Sequence, residues 1–474
     1  DATLLLERLI AEPRHVEFQI FGDQHGNLVH LGERECSIQR RHQKIVEETP
    51  STALTPDLRA RMAAAALTVG RTLGYTNAGT VEFILGAGGD FAFLEVNTRL
   101  QVEHPVTELV TGLDLVRWQI LVAEGQPLPL TQEQITFTGH AVEARLYAED
   151  PASEFLPASG EVALWREPQG AGVRGDAGIA TGDAVSLHYD PLLAKICAHG
   201  TDRAEALRRL ERALAGSTLF GVRSNVDFLR RVVAHPAHRA GQISTAFIEQ
   251  HAADLLAAPE PRPGDVGSVE TAALVAALAH TSVWAEGQRW RNNPNRPLVE
   301  RFTASTASDT GERTIEVRLT PRGREAYSAV IVHAAGQEAM EVLVRERRGA
   351  ALTVELDGRR VRAEAVESGG AWWVKLGGTH ALVWRSPLPE PQARSGGQRS
   401  LAAPMPGQVI AVLVEEGQAV RSGDPLLVLA AMKMEHTLRA PRDGVVAALR
   451  FGRGAQVPAG AVLLELRPLE EVVP

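Results

Sequence analysis

In Thr314–Leu319, Ala326–His333, Leu352–Leu356 and Val361–Val366 apolar and polar side chains alternate at every second residue. That period predicts strands with one buried face. Asp357-Gly358 lies between two of them as a strong hairpin turn, and Gly369-Gly370 and Gly377-Gly378 mark others. About eight such segments follow one another without a helix, which predicts an antiparallel barrel or sandwich. Ahead of them the period lengthens, and Leu274, Val275 and Leu278 share one face of a helix expected over Val269–Ala279. Proline- and glycine-rich stretches, Ala258–Ser268 and Ser386–Ser400, isolate this unit on both sides and read as semi-flexible linkers. It contains no catalytic constellation, so docking to another subunit is its expected role.

The pattern changes again near the C-terminus. Ala403–Leu429 matches Ala440–Leu466 with a constant offset of 37, and 11 of 27 positions are identical. A short strand-forming repeat cannot bury an apolar face alone, so the two copies are expected to pack into a two-fold β-sandwich. Lys433 lies on the connection between the copies. The chain has only four lysines among its 49 Lys and Arg residues, and this one is expected on a protruding turn. The competing reading is an ordinary exposed lysine on a hairpin.

The N-terminal half carries more chemistry. Val81-Glu82-Phe83-Ile84 and Phe91–Asn97 read as two strands joined by the Gly86–Asp90 turn. Pairing brings Glu82 near Glu95, and the period of two puts Asn97 on the face of Glu95. Two carboxylates and an amide oxygen suit a hard cation such as Mg²⁺ or Mn²⁺, although strand glutamates more often form a solvated face. Arg99, Gln101 and Glu103 are expected to continue the alternation. A cation, an amide and a carboxylate placed there suit holding and deprotonating a small oxyanion. Upstream, Glu33 to Lys44 clusters basic groups suited to phosphates, its alternative being a charged loop.

At 474 residues the chain predicts about three domains. A net charge of −9 argues against a nucleic-acid scaffold, and no stretch approaches the ~20 apolar residues that span a bilayer. Two cysteines, Cys36 and Cys197, cannot form a disulfide framework and suit a reducing compartment. The chain opens on Asp1 within an expected strand, without an initiator methionine or a signal peptide.

Ala431-Met432-Lys433-Met434-Glu435-His436 closely resembles the biotinylation site of biotin carboxyl carrier domains. In those domains the lysine between two methionines carries biotin through an amide. Lipoyl domains share the fold but usually flank the lysine with an acidic residue and an alanine. The resemblance implies biotin on Lys433, attached by a biotin protein ligase. The amide removes a charge and adds a long arm able to visit more than one active site.

Pro13-Arg14-His15-Val16-Glu17, Glu33 to Lys44, Asn97 to Pro105 and Gly139 to Arg145 together resemble biotin carboxylase, an ATP-grasp enzyme, over roughly residues 1 to 255. By position the resemblance implies that Glu7, Arg8, Leu9 and Ile10 line an adenine pocket while His15, Gln39 and His42 approach ATP. Glu82, Glu95 and Asn97 would hold the metal. Lys44, Arg99 and the backbone of Val102 would bind bicarbonate with help from Gln101. Glu103 would be the base, and Arg145 would bind biotin and stabilise its enolate. The family's amino-terminal domain and glycine-rich lid have no counterpart in this sequence. The stretch is therefore expected to be the C-terminal part of a longer subunit, able to accept biotin but inactive alone as a carboxylase.

The order of these parts resembles the α-subunit of biotin-dependent acyl-CoA carboxylases. The implied fold is multidomain α+β: a partial ATP-grasp domain over 1–137 and a biotin carboxylase C-terminal domain over 138–257. A linker (258–268), a helix plus antiparallel β-barrel docking domain (269–385), a second linker (386–400) and a two-fold β-sandwich biotinyl domain (401–468) follow. The implied reaction is ATP-dependent carboxylation of biotin with bicarbonate. A separate carboxyltransferase β-subunit in a hetero-oligomer would then transfer the carboxyl group to an acyl-CoA. The run around Lys433 is most similar to α-subunits acting on 3-methylcrotonyl-CoA, in leucine degradation. Propionyl-, acetyl- and geranyl-CoA carboxylases compete. Two readings of other classes stay open: a biotin carrier without catalysis, and an ATP-grasp carboxylate–amine ligase with a lipoyl-like domain. The expected compartment is the bacterial cytoplasm, or the mitochondrial matrix in a eukaryote.

Overall fold

The computed structural model of the chain describes residues 9–256, 268–283, 296–306, 309–323, 325–385, 400–431 and 434–467. Glu7, Arg8, Lys433 and nearly all of both expected linkers lie outside these residues. Its largest element is an eight-stranded sheet made of β1 (Arg14–Gly22), β2 (Leu28–Arg40), β3 (Gln43–Thr49), β4 (Asn77–Leu85), β5 (Phe91–Asn97), β6 (His140–Tyr147), β7 (Val173–Ala177) and β8 (Leu192–Gly200), in the spatial order β7-β8-β6-β3-β2-β1-β4-β5. The sheet crosses the boundary expected at 137/138, because β3 pairs with β6.

Strand β1 shows how the sheet is used. Val16, Phe18 and Ile20 pack against Met62, Ala63 and Ala66 of helix α1 (Pro56–Thr72). Their polar neighbours His15, Glu17 and Gln19 are buried as well. They face the other side of the sheet, toward helix α2 (His104–Thr111) and the loop before it. Beyond β6 and β8 a second core contains α4 (Arg203–Gly216) and α5 (Val226–Ala234), and α3 (Leu115–Ala123) packs on β4.

The middle region forms a closed antiparallel barrel of eight consecutive strands between Leu298 and Arg385. The expected Ala326–His333 is a strand with those bounds, and Asp357-Gly358, Gly369-Gly370 and Gly377-Gly378 all have two successive positive φ values. That backbone matches the twist of the paired strands, which is why glycine recurs there. The expected one-sided helix is a correction. Helix α6 (Val269–Val283) is buried all round from Ala272 to Leu278 and contacts six barrel strands, so it runs inside the barrel. Its four interior alanines let the backbone approach strands on every side, which a stripe of Leu274, Val275 and Leu278 does not convey. Lys375 ties the barrel to the N-terminal lobe, donating to the Gly216 and Ser217 carbonyls at 2.9 and 2.7 Å at the end of α4.

The C-terminal region is the expected sandwich of two four-stranded sheets. Its strands begin at Gly407, Ala419 and Pro425 in the first copy and at Gly444, Gln456 and Val462 in the second, keeping the offset of 37. Ala419–Val420 of the first copy pairs with Gly444–Val445 of the second, and Gln456–Val457 pairs back with Gly407–Gln408. The copies therefore complete each other's sheets.

Candidate active site

Side chains from five strands of the large sheet converge beneath the loop Thr98–Glu103. Glu17 is fully buried between two cations, accepting from Arg34 Nε at 2.7 Å and from Lys44 Nζ at 2.6 Å. Arg34 has no exposed surface, and it also donates to Gln19, Thr107, Thr80 and Gln101. All its planar donors thus have acceptors, which a buried guanidinium requires. Lys44 Nζ reaches Glu103 at 2.5 Å and Glu82 at 3.3 Å, and the second Glu103 oxygen accepts from Arg145 at 2.8 Å. Arg145 Nε in turn meets Glu47 at 2.5 Å.

Charge and burial divide these carboxyls into two groups. Burial pushes Glu17 upward, but Lys44 and Arg34 outweigh it and hold the carboxyl at about 2. Glu82 is likewise lowered to about 2, where burial is opposed by the His15 hydrogen bond at 2.8 Å and by Lys44. Glu103 is also lowered; burial and Glu17 oppose this, and Lys44, Arg145 and Arg34 prevail. Behind Arg145 the cations run short. Burial raises Glu47 to about 7 despite Arg145, and burial with the neighbouring Glu47 raises Glu143 to about 8. Like charges at a buried site leave the last carboxyls protonated near neutrality.

The pairing expected for the three proposed metal ligands is observed. Glu82 and Glu95 are directly paired across β4 and β5, and Asn97 faces Thr80 two residues along. All three line one cavity of about 760 Å³. Two carboxylates and an amide oxygen on one wall fit a hard divalent ion. Asn97 Nδ2 donates to Glu82 at 2.9 Å, which turns the amide oxygen away from that carboxylate.

The same cavity is lined by His15, Gln39, His42, Lys44, Arg99, Gln101, Val102, Glu103 and Arg145. The Glu33–Lys44 run is a hairpin rather than a charged loop, with Arg41 and His42 at its tip in the left-handed region. Two expectations are corrected. Arg99, Gln101 and Glu103 do not continue a strand, because β5 ends at Asn97 and Glu103 begins α2, with Pro105 in its first turn. Gln101 and Glu103 are buried by this loop, whereas Arg99 bonds Asn97 Oδ1 at 3.4 Å. Leu9 and Ile10 do not line the cavity. The approach to β1 passes the Gly86 turn, where Ile10 packs, and Leu9 is 92% exposed.

Other residues escaped the sequence reading. Ile84 and Leu94 give the cavity an apolar wall. Ile84 could have been found two residues after Glu82; Leu94 could not, because it is the extra residue of an irregularity between the Glu82/Glu95 and Phe83/Phe93 pairs. Lys195 donates to the Val102 carbonyl at 2.8 Å and pins the loop. Glu17, Arg34, Glu47 and Glu143 were given no role of their own in the sequence analysis, although all four are fully or nearly fully buried.

Comparison with known proteins places the chain among relatives. Residues 1–131 match the family described as carbamoyl-phosphate synthase L chain, ATP binding domain. Residues 143–250 match the biotin carboxylase C-terminal domain, and 399–466 match the family described as biotin-requiring enzyme. The mitochondrial methylcrotonoyl-CoA carboxylase subunit alpha of Arabidopsis thaliana is 39% identical over 98% of this chain and 68% of the relative. The mitochondrial propionyl-CoA carboxylase alpha chain of Mus musculus is 37% identical over 98% of this chain and 65% of the relative. Among solved structures, the biotin carboxylase domain of Hydrogenobacter thermophilus 2-oxoglutarate carboxylase, in complex with MgADP, ADP and bicarbonate, is 40% identical with a TM-score of 0.52. The match covers 53% of this chain and 56% of that one.

Proposed function

This chain belongs to the family of biotin-dependent acyl-CoA carboxylase α-subunits, and we propose that the cavity on its large sheet is where biotin is carboxylated. It is an ATP-dependent ligase that works with biotin, ATP, Mg²⁺ and bicarbonate. The observation that carries the site assignment is the double engagement of Glu103. Lys44 holds one of its oxygens and Arg145 the other, so a candidate base sits between two cations suited to an anionic substrate.

The contacts support the roles that the resemblance implies. Glu82, Glu95 and Asn97 would hold the metal, which when bound neutralises nucleotide phosphates and orients them for transfer. Ile84 and Leu94 would give a flat purine an apolar wall, with His15, Gln39 and His42 nearby. Lys44, Arg99 and the Val102 N–H would hold bicarbonate with Gln101, the Val102 carbonyl being occupied by Lys195. Glu103 is a weak base while both cations hold it. Bicarbonate drawing Lys44 and Arg145 toward itself would raise its basicity when the proton must move. Arg145 would offer N–H groups to negative charge developing on a ureido oxygen. Lys433 would carry the biotin.

The acyl-CoA is proposed to be 3-methylcrotonyl-CoA. Relatives named for methylcrotonoyl-CoA reach 39% identity and span 36–39%, around the mouse propionyl-CoA relative at 37%, and the run around Lys433 favours the former. A carboxyltransferase β-subunit would complete the reaction, with the barrel region as its docking surface. Among the described residues no helix is long and apolar enough to cross a membrane. Mass spectrometry of holoenzyme, wild type and Lys433→Arg, tests the carrier assignment, and biotin on the variant would remove it. An acyl-CoA panel tests the substrate: turnover of propionyl-CoA above 3-methylcrotonyl-CoA would reverse that choice.

A further inference from the structure

We infer that Leu156 and Leu187, on the rim of the carboxylase cavity, form the seat on which the biotinyl domain docks to present its lysine hairpin. This inference rests on the function proposed above. Both leucines are partly buried against the core of the biotinyl domain, although they belong to the carboxylase lobe. Each lies near residues that line the cavity, Leu156 next to Pro157 and Leu187 three residues before Asp190 and four before Pro191. From the biotinyl side, Glu435 lines the same cavity, and it is two residues from Lys433. Three contacts from two regions distant in sequence therefore agree on one docked orientation.

The local structure explains why Leu156 points outward. It follows Glu154 and Phe155, two successive residues in the left-handed region, with φ of 54° and 61°. Such a pair is strained in non-glycine residues and persists only where the surroundings hold it. Phe155 supplies the hold: its ring meets Phe228 edge-on at 5.0 Å, and the Arg40 guanidinium lies 4.2 Å above it. With Phe155 anchored inward, the following Leu156 is presented at the rim. Leu187 is presented differently, partly buried in a segment where Ser186, His188, Tyr189 and Asp190 are exposed.

A seat of two leucines is small beside interfaces that hold proteins together permanently. That suits a tethered carrier, whose high effective concentration makes a weak contact sufficient for occupancy and still lets it leave. The seat should matter for tethered biotin and not for free biotin, which needs no docking.

The test uses the holoenzyme with Leu156→Asp, Leu187→Asp and Leu187→Met, with equal biotin loading checked by avidin blot. ATP- and bicarbonate-dependent carboxylation is measured on the protein-bound biotin and on free biotin. The Asp variants are expected to lose roughly tenfold or more on tethered biotin, as buried contact residues do, with free-biotin kcat/KM within about twofold of wild type. Leu187→Met should stay near wild type, and it keeps the test informative if an Asp variant fails to fold. Apo-protein without biotin gives a second reading: amide hydrogen exchange at Ser186–Asp190 and at Glu435–His436 should rise in Leu156→Asp. Unchanged tethered turnover, parallel loss on both substrates, or unchanged exchange would overturn the seat. Wild-type enzyme inert toward free biotin would instead overturn the carboxylase assignment on which the seat rests.

Discussion

Two eight-stranded antiparallel surfaces adjoin in this chain, the carboxylase sheet and the barrel, and they bury different kinds of side chain. Inside the barrel Phe302, Ile315, Val317, Leu319, Ile331 and Val374 close on an alanine-rich helix, and all are fully buried. Under the carboxylase loop, Glu17, Gln19, Arg34, Glu47 and Glu143 are just as inaccessible. An apolar core loses stability roughly in proportion to the volume removed from it. A buried ionic floor behaves otherwise, because removing one member strands the charge of another. The barrel can thus be a scaffold, whereas the sheet is a site whose charges stand or fall together.

The contrast can be broken most severely at Arg34. Arg34→Ala leaves Glu17 with Lys44 as its one close cation and takes the donor from Gln19, Thr80, Gln101 and Thr107, so a stability loss of roughly 3–5 kcal/mol is expected by denaturant titration. A loss below ~1 kcal/mol would mean that the floor is not coupled. Leu278→Ala inside the barrel should cost a comparable or smaller amount, roughly 2–5 kcal/mol, while leaving nucleotide binding to the carboxylase lobe intact. Nucleotide affinity falling with barrel stability would erase the distinction between scaffold and site.

A smaller effect, spread over pH, sharpens the comparison. Glu47 and Glu143 have folded pKa values of about 7 and about 8, above the ordinary 4.5. Between pH 4.5 and these values the folded state binds more protons than the unfolded state, so their contribution to stability falls as pH rises. Glu17 and Glu82, held at about 2, act in the opposite sense: their contribution is present above 4.5 and is lost as pH falls toward 2. Glu143→Gln should remove up to ~1.4 kcal/mol per pH unit of the decline between pH 4.5 and 8. An unchanged slope would show that Glu143 does not hold its proton in the folded state over this range. No comparable pH dependence should arise from the apolar barrel core.

The same contrast decides what could be read in advance. The hairpin of Glu82 and Glu95 was legible from its glycine-rich turn, but that turn alone would set Glu82 opposite Leu94, and the extra residue Leu94 is what brings Glu95 opposite Glu82. The sandwich was legible because its repeat keeps one offset throughout. The helix inside the barrel was misread because alanine, neutral in an amphipathic pattern, is the residue that permits burial on every side. The floor was invisible for a deeper reason. Alternation such as His15-Val16-Glu17-Phe18-Gln19 has the same form whether its polar face meets water or a covered site. What covers it here is the Thr98–Glu103 loop and α2, which one-dimensional periodicity does not place. The loop was itself read as strand because its polar residues kept the period of two by chance, up to Pro105 in the first turn of α2.

The central claim is that this floor holds bicarbonate and that Glu103 takes its proton. The direct measurement is incorporation of labelled bicarbonate into free biotin by wild-type and Glu103→Gln holoenzyme, with ATP affinity measured in parallel. The expected result is a fall of roughly 10²–10⁴-fold in carboxylation with nucleotide binding nearly unchanged. Wild-type carboxylation by the variant would leave Glu103 as a structural partner of Lys44 and Arg145, and the account of the site would be wrong.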